Sequence, residues 1–176
     1  MRWLNEPERW FGDLDGLTVA AEAGTDFWRT THYGYVRDSG HFAYEELESE
    51  IALRFRGEWA AQYDQAGLML RVDDENWIKA GIERADGREW LSVVVTRGLS
   101  DWSQQPAPPP DADGWYDIGA VRDGDCVQIL CGDQPVRLAP FPDAGELMSG
   151  PMCAAPKGPG FTARFLNGDS PHLGDL

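Results

Sequence analysis

Positive charge is scarce in this sequence: 15 Lys and Arg stand against 30 Asp and Glu, a formal net charge of −15. No basic run offsets the balance, so the chain would repel a phosphate backbone, and nucleic-acid binding is set aside. The same charge argues against docking on an anionic membrane. It fits a well-solvated surface and a neutral or cationic ligand. Cysteine is sparse as well. Cys126, Cys131 and Cys153 are odd in number and lack framework spacing, which excludes a disulfide scaffold. Each is expected to be reduced and to act as a small buried hydrophobe. His32, His41 and His172 form no close pair, so neither a metal site nor a cofactor is expected. No apolar run follows Arg2 in Met1 to Pro7; without a signal peptide or membrane span, a cytoplasmic location is the default. A Gly-x-Ser-x-Gly elbow and a phosphate-cradling glycine loop are also missing.

What is present is a heavy aromatic load of eight Trp, five Tyr and seven Phe in 176 residues, 42% of which are hydrophobic. That length suits one domain, residues 1–176, with a packed core. The hydrophobic period is two nearly throughout. Strands are predicted around 17–22, 47–55, 66–72, 77–83, 91–96, 116–120, 127–131 and 161–166, with a leading strand within 1–12. Ile51, Leu53, Phe55, Leu68, Leu70, Ile78, Ile82, Val93, Val95 and Phe165 are the expected core. Asp86-Gly87, Asp123-Gly124-Asp125 and Gly132-Asp133 read as hairpin turns. Gln104 to Pro110 reads as a long loop, and Asp143 to Met148 is the one stretch that could form a helical turn. Many short strands without a convincing helix give an all-β, two-sheet antiparallel jelly-roll sandwich.

Four ordered blocks carry a resemblance. They are Thr25-Asp26-Phe27-Trp28-Arg29-Thr30-Thr31-His32-Tyr33-Gly34, then Tyr63-Asp64-Gln65-Ala66-Gly67-Leu68-Met69, then Asn76-Trp77-Ile78-Lys79-Ala80-Gly81-Ile82-Glu83, and finally Leu91 to Thr96 with Ser100-Asp101-Trp102-Ser103. In this order and spacing, over about Leu14 to Asn167, the chain resembles the domain of unknown function 1349 family. That family includes regulation-of-enolase-like proteins and belongs to the concanavalin A-like lectin/glucanase superfamily. The resemblance implies two antiparallel sheets, one of them concave, and no established chemistry.

On a regular strand, Trp77, Lys79, Gly81 and Glu83 share one face while Ile78, Ala80 and Ile82 face the core. An aromatic plate, a cation and a carboxylate around a glycine suit a sugar: the ring stacks on C–H groups, the polar ends bond hydroxyls, and the glycine admits a ligand. Tyr63, Asp64 and Gln65 precede a strand, where they could bind ligand or cap loop amides. The first block offers Trp28, His32 and Tyr33, and Trp102 follows a strand where it could rim the same groove or cover core. The candidate ligand-binding set is therefore Trp28, His32, Tyr63, Asp64, Gln65, Trp77, Lys79, Glu83 and Trp102, in one groove on the concave sheet. Trp10, Trp59, Trp90 and Trp115 are assigned to packing, and Glu48 and Glu50 to surface pairing with Arg54 and Arg56.

Three functions compete. The first is a carbohydrate-binding or sugar-sensing domain with a small-molecule or oligosaccharide ligand. The second is a saccharide-acting enzyme with Glu83 as catalytic acid or base and Asp64 or Asp101 as the second carboxylate. The glucanase run of alternating carboxylates is absent, which counts against it. The third is a regulatory domain with a protein partner.

Overall fold

The computed structural model describes residues 1–47, 49–141 and 146–169. They form sixteen strands: β1 (Arg2–Leu4), β2 (Trp10–Asp13), β3 (Gly16–Glu22), β4 (Phe27–Arg29), β5 (Val36–Asp38), β6 (His41–Glu46), β7 (Glu50–Gly57), β8 (Gln65–Arg71), β9 (Asn76–Ala85), β10 (Arg88–Arg97), β11 (Leu99–Pro106), β12 (Tyr116–Asp123), β13 (Cys126–Cys131), β14 (Gln134–Pro140), β15 (Met148–Ala154) and β16 (Gly160–Asn167). No helix occurs among the described residues. One seven-stranded antiparallel sheet runs β1-β6-β15-β8-β9-β10-β11, a second runs β14-β13-β12-β7-β16-β3-β2, and β4 and β5 form a separate ribbon. The two large sheets pack face to face as a jelly-roll-like sandwich.

The period-two pattern produces this core directly. Leu53 and Phe55 of β7, Leu68 and Leu70 of β8, Ile78 and Ile82 of β9, Val93 and Val95 of β10 and Phe165 of β16 point inward and are buried. Ile51, expected in the same layer, is half-buried and packs against it. Fully burying one such side chain contributes about 1.5–3 kcal/mol. The turn chemistry also holds: Asp86 and Gly87 have φ of 51° and 75°, the left-handed pair that a two-residue hairpin between β9 and β10 requires.

Several expectations need correction. The strand β11 continues through Pro106, so the loop expected from Gln104 begins later. Arg54 does not pair with Glu50; it bridges Asp111 and Asp117, and Arg56 reaches the Asp113 carbonyl beneath the Trp115 ring. Glu48 and residues 143–145 of the suggested 143–148 turn lie outside the described residues, while Met148 opens β15. Trp10 is 38% exposed on an edge strand, so its packing role is partial. Cys153 is buried and free, but Cys126 and Cys131 are only half-buried at the two ends of β13. Burial pushes the Cys131 thiol up to about 11.

A second, smaller apolar cluster lies on the other face of the first sheet. Met69, Trp77, Val94, Phe42 and Met152 project from that sheet and are roofed by Phe27 and Trp28 of the β4–β5 ribbon. The ribbon is anchored at both ends. Arg71 of β8 donates twice to Asp38, at 2.7 and 2.8 Å, while Arg29 donates to Glu75 at 2.5 Å and to the Gly98 carbonyl at 3.1 Å. The Arg29 amide donates to Ser100 Oγ at 2.9 Å. Bidentate guanidinium–carboxylate contacts of this kind fix geometry as well as adding energy.

Candidate functional site

Strand register sets the floor of the site. Across β8, β9, β10 and β11, Met69, Lys79, Val94 and Trp102 stand in one row, and Gly67, Gly81 and Ser92 in the next. Gln65 and Glu83 are direct neighbours in the row beyond. Where the β4–β5 ribbon stops, this floor opens into a cavity of about 400 Å³. Trp28, Tyr33, Tyr35, Tyr63 and Trp102 wall it, and buried Gln65, Lys79 and Glu83 with half-buried Asp26 supply its polar groups. Arg37 and Lys157 stand exposed at its mouth.

The aromatic walls hold one another. Trp28 meets Trp102 edge-on at 6.1 Å and Tyr33 at 5.6 Å, and Tyr33 stacks on Tyr35 at 5.6 Å. Trp28 Nε1 donates to the Thr31 carbonyl and Trp102 Nε1 to Ser92 Oγ, both at 3.0 Å, so the indole polar ends are already satisfied. Three non-glycine residues near the walls adopt left-handed backbone: Thr30 (φ 58°), His32 (φ 64°) and Tyr63 (φ 68°). Such conformations are sparse for side-chain-bearing residues and concentrate at functional sites.

At the floor, Lys79 Nζ donates to the Phe27 carbonyl at 2.7 Å and to Gln65 Oε1 at 2.6 Å, and lies 3.5 Å from Asp26 Oδ1. Gln65 Nε2 in turn donates to Asp26 Oδ1 at 3.3 Å and to the Tyr63 carbonyl at 3.2 Å. Two of the ammonium's donors are thus hydrogen-bonded and Asp26 stands at ion-pair distance, so Lys79, Gln65 and Asp26 form a mutually paired triad. Glu83 stands apart from it. Burial pushes its carboxyl above the usual glutamate range, partly offset by the Lys79 charge and by hydrogen bonding from Ser92, while Asp26 pushes it further up. Burial also raises Tyr33, with the Tyr63 hydroxyl beside it adding to the effect. A carboxyl bonded by Ser92 still has room for further partners, and the Tyr35 hydroxyl and the Tyr33–Tyr63 hydroxyl pair can each take one more from a ligand.

Of the nine candidates named from sequence, Trp28, Tyr63, Gln65, Lys79, Glu83 and Trp102 come together at this cavity. Three do not. Trp77 is 1% exposed: it shares the Lys79 face as expected, but the ribbon covers it and Phe27 packs on it at 6.2 Å. Asp64 is fully buried and caps the preceding loop, its Oδ2 accepting from the Ala60 and Ala61 amides at 2.8 Å. His32 lies exposed on the ribbon's turn against Tyr33, outside the cavity lining. Gly81 also has a structural reason. A Cβ there would lie 2.2 Å from the Ala66 carbonyl oxygen, and one on Gly67 2.1 Å from that of Ala80, so the paired glycines let β8 and β9 close on each other.

The partner carboxylates imagined for Glu83 are likewise misplaced: Asp64 caps its loop, and Asp101 is paired with Arg137 on an exposed stretch of β11. The carboxylate that shares the cavity is Asp26. It stood within the first sequence block, but only the ribbon's fold reveals it. Tyr33 belongs to the first sequence block but not to the candidate set; Tyr35 and Lys157 were missed because they lie on irregular segments, and Arg37 because a three-residue strand carries no periodic signal. Among the described residues no cluster of His, Cys, Asp and Glu could hold a metal ion.

Residues 3–169 match the family described as "Protein of unknown function (DUF1349)". "Regulation of enolase protein 1" of Saccharomyces cerevisiae is 39% identical over 168 residues, covering 93% of this chain and 85% of the relative. A crystal structure of a functionally unknown Saccharomyces cerevisiae protein superposes with a TM-score of 0.87 at 36% identity, over 98% of this chain and 97% of that one. The Bacillus subtilis carbohydrate binding module CBM66 shares the fold, with a TM-score of 0.53 at 14% identity over 94% of this chain and 92% of the module. The chain belongs to the DUF1349 family.

Proposed function

We propose that this member of the DUF1349 family is a binding domain, residues 1–176, for a saccharide or similar polyol seated in the cavity between the β4–β5 ribbon and the β8–β11 floor. One observation carries the reading: an aromatic-walled cavity of about 400 Å³ in which Glu83 and three tyrosine hydroxyls keep hydrogen-bonding capacity to spare. Flat rings stack on the C–H faces of a sugar, and a few convergent hydrogen-bonding groups orient its hydroxyls. Trp28 and Trp102 are the stacking plates, and Glu83 is the principal acceptor. Lys79, Gln65 and Asp26 hold the floor in shape. The shared fold with a carbohydrate binding module supports the reading. Reduced thiols at Cys126, Cys131 and Cys153 fit a cytoplasmic setting.

Catalysis on the same ligand is the second reading, favoured by one specific feature: a buried carboxyl held above its usual range beside a second carboxylate is the arrangement a general acid needs. A glycan array followed by hydrolysis assays on the hits separates the two. Glu83→Gln should weaken binding severalfold and Trp102→Ala about tenfold, the scale of one stacking contact. Turnover of any hit that Glu83→Gln abolishes would replace the binding reading with the catalytic one. An array without hits, together with specific capture of a protein, would overturn both.

A further inference from the structure

The chain has two lysines, Lys79 and Lys157, and both line the candidate cavity. Their surroundings differ. Lys79 is buried, hydrogen-bonded to the Phe27 carbonyl and Gln65, and ion-paired with Asp26. Lys157 is exposed on the loop between β15 and β16, with no carboxylate within 4 Å among the described residues. Arg37, exposed on β5, is in the same position: its guanidinium lies over the Tyr35 ring at 5.1 Å, and no described carboxylate pairs with it. Asp38, next along the strand, is taken by Arg71. The cavity thus counts three cations against two carboxylates, Asp26 and Glu83, within a chain of net charge −15. The overall charge favours a neutral or cationic ligand; the local charge at this mouth does not.

We propose that the ligand is an anionic saccharide, a sugar bearing a carboxylate or phosphate, whose ring stacks in the aromatic cavity while its charged group is held at the mouth by Arg37 and Lys157. This deepens the saccharide reading and rests on it. The division of labour follows burial. The deep part, where Lys79 neutralises Asp26, offers Glu83 and tyrosine hydroxyls to sugar hydroxyls. The exposed part offers unpaired donors suited to an anion. Arg37, already stacked on Tyr35, presents a planar donor fork matched to a carboxylate or phosphate, and Lys157 adds a mobile point charge. In an otherwise acidic protein, such a patch also focuses anions toward one opening.

The test is calorimetric titration of the full chain with matched trios of glucose, galactose and mannose, each as the neutral hexose, the hexuronate and the 6-phosphate, with inorganic phosphate and acetate as controls. At least one charged member should bind about tenfold tighter than its neutral counterpart, the scale of two exposed charge contacts. Raising the salt concentration should shrink that margin. The double variant Arg37→Gln/Lys157→Gln should close it, with thermal unfolding verifying that the fold is intact. Which trio member gains most distinguishes carboxylate from phosphate. Equal binding of neutral and charged sugars would overturn the anion assignment and leave the saccharide reading standing. A preference unaltered in the double variant would overturn the residue assignment, and phosphate alone binding as tightly as any sugar phosphate would overturn the saccharide half. Absence of binding by every sugar would overturn both.

Discussion

Replacing Trp77 with alanine separates a core role from a ligand-stacking role. From the strand pattern alone, Trp77 belongs to the binding face, and its removal should weaken binding while sparing the fold. Its position reverses that expectation. The ring is 1% exposed, lies beneath Phe27 at 6.2 Å, and has the Lys79 ammonium 5.9 Å from its centroid. A buried tryptophan hides about 200 Å² of surface, and at roughly 25 cal/mol per Å² its transfer is worth up to about 5 kcal/mol. Measured tryptophan-to-alanine losses in cores, cavity term included, run about 3–5 kcal/mol. For a chain of this size that lowers Tm by roughly 6–20 °C. Urea unfolding followed by circular dichroism should show the midpoint falling by the corresponding amount at unchanged slope. A loss below about 1 kcal/mol with weakened sugar binding would mean that the ribbon does not cover Trp77, and the site would have to be redrawn around it.

Arg71→Ala should release the ribbon from the sheet by stranding Asp38, at about 2 kcal/mol of stability, and should weaken ligand binding because Trp28, Tyr33 and Tyr35 ride on the ribbon or its turn; chemical denaturation and calorimetry on one preparation read both effects. Burial holds Glu83 above the usual range, so its contribution to stability is fully present below the ordinary glutamate value of about 4.3 and is lost as pH rises through the raised folded value. Glu83→Gln should therefore stabilise the fold near neutral pH and leave it unchanged near pH 4, as read from urea midpoints at the two pH values.

The sandwich was legible in the sequence because alternation along β7 and β16 fixes which side faces the core, while β8, β9 and β10, buried on both faces, read as apolar runs of strand length bounded by turn residues. The shared face of Trp77, Lys79 and Glu83 was legible from the two-residue period of a strand. Which part of that face stays open was not. A three-residue strand such as β4 or β5 carries too few alternations to register as a period, yet this ribbon decides that Trp77 is core and that Glu83 lines a cavity. Asp64 illustrates a chemical ambiguity: a carboxylate before a strand reads equally as ligand group or loop cap, and only the Ala60 and Ala61 amides settle which. Asp26 was legible as part of a block but not as a cavity group, since its role depends on a lysine 53 positions later in the chain.

Indole N–H signals test the central claim most directly. In protein labelled with ¹⁵N at its eight tryptophans, two indoles line the cavity, each donating to a fixed acceptor: Trp28 to the Thr31 carbonyl and Trp102 to Ser92. Titration with the tightest-binding sugar should move the Trp28 and Trp102 indole resonances saturably and together, while those of Trp10 and Trp115, outside the cavity lining, stay in place. Stationary Trp28 and Trp102 signals alongside shifts at Trp10 or Trp115 would contradict the account, placing the ligand elsewhere on the sandwich.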